Sequence, residues 1–547
     1  MTARHPSPAR PDSPERPDRS AYDVVVVGGG HNALVAAGYL ARAGRSVLVA
    51  ERLGRLGGAA VSGRPFPDHD ARLSRYSYLV SLLPDQVLAD LGVRLELRSR
   101  RTASYTPHRR HGRPGGLLVE RPEGEATRSS FRDLTGSDEA YEAWQAWGAD
   151  AERLAQVVEP TLTQPLPHAD ELREAVGSRI WRDLVERPLG DAIAERFADD
   201  VVRGVVATDA LIGTFTDLRS PERLANRCFL YHAIGRGTGE WRVPVGGMGA
   251  VSGALADAAA RLGAELRTGW EAVEVVTEDD GVTVELEDAA GRRTQVRGGH
   301  LLSGVSPGEL ARLRGRGTED AGTGDAPEGS QLKLNILVDR LPRLRSGADP
   351  RVAFAGTFHV GETWEELSST RDEALSGRLP QRPPGELYCH SLTDDTILSP
   401  ALRASGAHTL TWFGINTPGS LFAGDAAQRA DIRAEAVRRV VAAIDEHLLD
   451  PLLSVVARDA SGEPCIEALC PPDLVDELRL PGGHIFHGDL AWPWHEADDV
   501  PAQSSPAHAW GVATDHPRVL ICGSGARRGG AVSGVGGHNA AHAVIEA

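Results

Sequence analysis

Apolar positions along this 547-residue chain follow two rhythms, a strand rhythm and a helix rhythm, that alternate with glycine-rich turns between them. Val24 to Val27 form an unbroken apolar run, as in a strand buried on both faces. Three glycines follow, Gly28 to Gly30, then an Ala- and Leu-rich stretch that predicts a helix, then a second short strand over 47–50. Strand, glycine turn, helix and strand make one βαβ unit. From about Thr135 to Ala233 apolar residues recur every three or four positions with charges between them, which predicts a mainly helical region. A second glycine-rich turn, helix and strand spans 243–278, and the alternation over 281–298 predicts strand and turn. Gly315 to Ser330 reads as a polar loop. Strands return at 332–339 and 406–416, a helix is expected over Gln428 to Leu448, and 519–547 again reads as strand, glycine turn and helix.

Composition narrows the picture. A chain of 547 residues exceeds what one core usually supports, so at least two domains are expected. With 41% hydrophobic and 25% charged residues it is an ordinary soluble protein by composition. The net charge of -17, from 59 basic and 76 acidic residues without a Lys/Arg-rich run, argues against nucleic acid as a partner. The five cysteines, Cys228, Cys389, Cys465, Cys470 and Cys522, show neither CxxC nor zinc spacing, and their odd number is no disulfide framework. A reducing compartment is the simplest reading, and no metal site is expected. No run reaches the roughly 18 apolar residues of a membrane-spanning helix, so no transmembrane segment is expected. The first twenty residues, rich in Pro and Arg without an apolar core, read as a disordered leader. The expected location is the cytoplasm.

The glycines suggest chemistry. In a GxGxxG/A turn the first glycine makes the turn, the second lets the backbone approach a pyrophosphate, and the third position must be small. Here those positions are Gly28, Gly30 and Ala33, and an acid suited to a ribose, Glu51, stands 23 positions after Gly28. His31 and Asn32 are expected to cap the helix and meet phosphate oxygens. Gly246 to Gly253 mimics a second such loop, but it follows Trp-Arg-Val-Pro rather than a buried strand and reads as a tight helix entry. His487, between Phe486 and Gly488, is the histidine to weigh for catalysis against a structural, hydrogen-bonded role. Trp492, Trp494 and His495 suit either a cavity roof or ordinary packing. Arg527 and Arg528 suit either anion neighbours or solvated loop residues.

After Glu51, the pattern Glu51, Arg52, Gly57, Gly58, with Ala59 behind it, resembles the extended fingerprint of FAD oxidoreductases. The run "GARRGGAVSGVGGHNAA" (525–541) resembles the C-terminal segment of the phytoene-desaturase-like branch of the flavin amine oxidase superfamily. "VPVGGMGAVSGALADAAARLGAELRTG" and "GGHIFHGDL" resemble the same branch in the same order, so the likeness covers nearly the whole chain beyond the leader. The resemblance implies an α/β fold: a Rossmann-type FAD-binding domain assembled from discontinuous segments (21–100, 245–310 and 480–547) with an inserted α+β substrate domain (101–244 and 311–479). It implies FAD as cofactor, with the Val273 backbone at the adenine. Gly523, Ser524 and Gly525 would follow the ribityl chain. Gly530, Val532 and Gly534 would lead a helix N-terminus to the pyrimidine edge, where reduced flavin gathers negative charge.

Two departures bear on the transfer of roles. Ser524 stands where related flavoproteins often carry an acid, and Asp395, Thr396, Ile397 replace the customary Asp-Pro-Ser/Thr. With no cysteine in the C-terminal glycine run, thioether attachment of the flavin is not expected, and attachment through histidine stays open. The implied activity is removal of hydride from a C–H bond of a small, largely apolar organic substrate, as a dehydrogenase or desaturase, with His487 the catalytic candidate and the electron acceptor unassigned. Three alternatives stay open: a flavin amine oxidase, a redox-neutral flavin isomerase, and a non-catalytic binding protein on the same fold, as in the Rab escort and GDP-dissociation inhibitor proteins.

Overall fold

The valine run becomes a central strand with parallel neighbours on both sides, in a computed structural model that describes residues 14–316, 327–496, 499 and 504–547. Strands β1 (Ala21–Val27) and β2 (Val47–Glu51) open the chain, and β3 (Thr102–Arg110) and β4 (Arg113–Glu120) form a hairpin. After the helical region come β5 (Glu265–Thr268), β6 (Trp270–Glu278), β7 (Gly281–Asp288) and β8 (Arg293–Ser303). Next are β9 (Leu332–Val338), β10 (Thr357–Val360), β11 (Gly385–Tyr388), β12 (His408–Gly414), β13 (Ile466–Leu469) and β14 (Val519–Ile521).

The first sheet has the order β6-β7-β8-β1-β2-β5, with β14 beside β8. Its β8, β1, β2, β5 and β14 pairings are parallel, and β6 to β8 form an antiparallel meander. Val25 lies opposite Leu48 on one side and Leu301 on the other. Val24 to Val27 are at most 4% exposed, because helices cover one face of the strand and the meander the other.

Helix α1 (His31–Arg42) is buried from His31 to Ala41. A helix with no solvent face needs small side chains, and its alanines admit close partners. Those partners come from distant parts of the chain: α5 (Met248–Arg261) and α7 (Val535–Ile545), which share one core with α1. Gly537 lies so near α1 that a Cβ there would fall 1.9 Å from the Asn32 carbonyl oxygen.

Between α1 and α5 in sequence lie α2 (Glu139–Val158), α3 (Asp200–Thr208) and α4 (Leu224–Ala233), the helical layer expected from the three-to-four spacing. Its core takes in Phe486, Trp492 and Trp494. Both tryptophans are 1% exposed, with ring centroids 4.8 Å apart and Trp181 4.9 Å from Trp494, so they are packing residues and not a cavity roof. The second sheet, β13-β9-β12-β11-β10-β3-β4, is antiparallel except where β10 meets β3. Helix α6 (Ala426–Asp445) covers it, starting two residues before the expected Gln428 because Asp425 caps the amides of Ala427 and Gln428. The architecture is thus the expected one, a Rossmann-type sheet assembled from separated segments with an inserted α+β region.

Further details bear on the expectations. Residues 1–13 of the leader and 317–326 of the polar loop lie outside the described residues. Residues 14–20 are not disordered: Trp270 donates from its indole nitrogen to the Glu15 carbonyl at 2.7 Å, and Arg267 pairs with Glu15 at 3.0 Å and Asp18 at 2.5 Å. All five cysteines are buried and unbridged. Among the described residues no helix is long and apolar enough to cross a membrane.

Candidate functional site

The glycine loop between β1 and α1 is shaped by two close approaches. Gly28 turns the chain at φ +90° while its amide donates to the Ala50 carbonyl, and a Cβ on it would press within 3.2 Å of the Val305 side chain. The Gly29 amide donates to Glu51 Oε2 at 2.7 Å and the Leu53 amide to Oε1 at 2.7 Å, so the acid at the end of β2 is fixed by backbone donors. Burial raises the Glu51 pKa in spite of those two bonds. The double glycine also has a structural reason. The Gly57 amide donates to the Gly29 carbonyl, Gly57 stands at φ +112°, and a Cβ there would fall 2.7 Å from Ser252 Oγ of α5. The pair packs between the loop and α5.

At Gly30, by contrast, an added Cβ would meet nothing within 4 Å. Helix α1 begins there with Gly30 as an N-cap that offers no side-chain bond. His31 and Asn32 are therefore not caps; they are the first helical residues. Their side chains tie α1 to the C-terminal glycine loop: His31 Nε2 lies 3.1 Å from the Ala531 carbonyl, and Asn32 donates to the Gly529 carbonyl at 3.2 Å. An uncapped helix N-terminus facing open space, with a fixed carboxylate beside it, fits a dinucleotide pyrophosphate and ribose.

That space is one end of a cavity of about 450 Å³ that runs from the first sheet to the second. Gly28, Gly30, His31, Asn32, Ala33, Glu51, Arg52, Gly58, Ala59, Gly523, Ser524, Val532 and His487 all line it. Gly57, Val273, Gly525, Gly530 and Gly534 do not. Gly525 packs on Pro307, Gly530 on Leu490, and Gly534 is the left-handed N-cap of α7. Val273 sits at a bulge of β6, with its neighbours Glu271 and Ala272 on the cavity instead. Beside them Arg479 bridges Glu271 at 2.6 Å and Glu309 at 3.0 Å. Arg527 and Arg528 lie elsewhere: Arg527 pairs with Asp499, and Arg528, 2% exposed, donates to the Thr161 and Trp510 carbonyls. The second glycine-rich turn is likewise committed, since the amides of Gly246, Met248 and Gly249 donate to Asp394, Ser74 and Ser62.

His487 reaches the cavity at φ +66° with Nδ1 buried and unpaired. Burial pushes its pKa down to about 4, helped by the nearby His31 and His484. It is neutral at pH 7.

The second sheet contributes cavity-lining residues that carry no motif. Lys333 on β9 is fully enclosed and donates to the Ser74 and Tyr76 carbonyls at 2.6 Å each. The ammonium form keeps a third N–H, whereas the neutral amine spends both of its N–H bonds and keeps a lone pair, and burial holds its pKa well below the usual lysine value, towards the neutral form. His359 on β10 bonds through Nδ1 to Glu362 and lies 4.0 Å from Glu386 of β11, whose other oxygen takes the Tyr388 hydroxyl. Burial and the Glu362 carboxylate raise the Glu386 pKa, while burial of His359 is outweighed by the same two acids, which raise its pKa. Arg100, 7% exposed, lies over the Tyr388 ring at 5.5 Å. Each of Lys333, His359 and Glu386 is an ionisable residue inside a short, fully buried strand, but nothing in the sequence links the three to one another.

Comparison with known proteins gives this geometry its relatives. Residues 34–321 match the family of flavin-containing amine oxidoreductases. An uncharacterized protein of Mycobacterium tuberculosis is 47% identical over 96% of this chain and 97% of its own length. The mouse pyridine nucleotide-disulfide oxidoreductase domain-containing protein 2 is 30% identical over 96% and 93%. Among solved structures, cyclohexylamine oxidase from Brevibacterium oxydans superimposes with a TM-score of 0.55 at 16% identity, covering 96% of this chain and 99% of that one. A putrescine oxidase variant gives 0.54 at 17% identity with the same coverage. At such identities the likeness speaks for the fold. The chain belongs to the flavin-containing amine oxidoreductase family and is a flavin oxidoreductase by family.

Proposed function

We propose that the protein is an FAD-dependent dehydrogenase or desaturase that removes hydride from a C–H bond of a small organic substrate. The observation that carries this reading is the open cradle over Gly30, flanked by Glu51 and the uncapped start of α1, continuous with a cavity that ends at the second sheet. In this reading residues 21–100, 245–310 and 480–547 form the cofactor domain. Glu51 accepts from the ribose hydroxyls, the first-turn amides of α1 meet the pyrophosphate, and Ser524 and Val532 flank the ribityl and ring system. Bound FAD supplies the hydride acceptor. The enclosing walls of this chain exclude water and align the C–H bond. Lys333 lines the cavity with its lone pair when neutral or a third N–H when protonated, and neutral His487 serves as a hydrogen-bonding wall. The proton released with the hydride passes to the His359–Glu362–Glu386 group or to water.

The test is the absorption spectrum of the purified protein before and after heat denaturation and filtration, followed by anaerobic photoreduction. Flavin bands that pass the filter, identified as FAD by chromatography, support the reading. A colourless protein that takes up no added FAD overturns it in favour of a binding protein. Product analysis with and without oxygen then separates a new C=C bond from the imine left by amine oxidation.

A further inference from the structure

Arg100, at the second-sheet end of the cavity, has no hydrogen-bond or ion-pair partner among the described residues. Arg100 is 7% exposed, and its Nε and Nη1 are buried without a hydrogen bond. No carboxylate lies within ion-pair distance of it among the described residues, although a buried guanidinium left alone is costly. The neighbouring acids are already engaged: Glu362 with His359, Glu386 with Tyr388, and Glu240 with Ser99 and Arg242. The half-buried Asp209 faces the same wall, where its charge acts on His359 and Glu386. Arg121, beside it at this end of the cavity, has Glu240 at 3.6 Å, and its like charge opposes that of Arg100.

We propose that Arg100 is the recognition residue for a carboxylate on the substrate, whose apolar body lies along Val205, Ile212, Trp241 and Phe413. The guanidinium fork matches a carboxylate in two parallel bonds, and one unpaired cation calls for a monoanion. The apolar residues named line the same cavity. This assignment rests on the oxidoreductase reading above and refines it: the substrate is an amphiphilic acid, not a wholly apolar hydrocarbon.

The experiment uses the purified full-length flavoprotein and three probes of one shape, octanoate, octanamide and octylamine. Binding is read twice, by calorimetry and by perturbation of the visible flavin bands. Octanoate is expected to bind about tenfold or more tighter than octanamide. Arg100→Met should erase that preference with the flavin retained, and Arg100→Lys should keep part of it. Octanoate binding no tighter than the amide, including no detectable binding by either, overturns the proposal, as does tighter binding of octylamine. The wild-type comparison needs no variant, so misfolding of Arg100→Met leaves the test standing. Absence of flavin would sink the oxidoreductase reading alone, since calorimetry reports the acid preference without it.

Discussion

Glu51 shows how much one side chain is asked to do. Its two carboxylate oxygens already hold the Gly29 and Leu53 amides, and the proposed ribose contact would be added to these. Glu51→Gln keeps one acceptor oxygen and removes the charge. FAD affinity, read from the ratio of flavin to protein absorbance over a titration with FAD, is expected to fall about tenfold, with occupancy lowered at limiting FAD, in line with losing a hydrogen bond to a charged acceptor. Unchanged affinity would remove the ribose role from Glu51. This acid was legible in the sequence because strand, turn and helix fix its place relative to Gly28 within one local unit. Arg100, Lys333, His359 and Glu386 were not, because separate strands and loops of the second sheet bring them together and no spacing links them.

Elements meet here through glycine. A Cβ at Gly537 would fall 1.9 Å from the Asn32 carbonyl, so Gly537→Ala must push α7 off α1. The expected cost is about 1–3 kcal/mol, seen as a lower Tm together with lost flavin, because Ser524 and Val532 belong to the segment that leads into α7. Gly253→Ala, at an exposed site of α5 with open space around it, is the control and should be neutral or stabilising by up to about 1 kcal/mol. An equal loss in both variants would mean that the α1–α7 contact is not the cause. Helices and strands were readable from periodicity, but their ends were less so. Asp425 moved the start of α6, and Gly30 displaced His31 and Asn32 from the cap because the first turn is needed against the C-terminal loop.

For the molecule as a whole, buried histidines set a limit on the acid side. His390 is pushed down to about 3, chiefly by burial with Arg100 and Lys333 adding, and burial pushes His484 and His538 down to about 4. Above about pH 6.5, the unfolded value, all three are neutral in both states. Below it the unfolded chain takes up protons that the folded chain refuses, so stability falls by about 1.4 kcal/mol per histidine per pH unit until about pH 4. Tm should therefore decline steadily as pH drops through this window; a flat Tm would mean that these imidazoles are protonated in the folded protein. The division into two sheets came from the likeness of separated segments to a known family, since periodicity cannot say which distant strands share a sheet. That separation has a consequence for biosynthesis. The two ends of the His31 to Ala531 contact are 500 residues apart. On the ribosome the side of α1 that packs on α7 stays uncovered until residues 535–545 have emerged. The cradle over Gly30, whose neighbouring His31 and Asn32 hold the C-terminal loop, is therefore completed only at the end of synthesis, and an apolar face stays exposed until then.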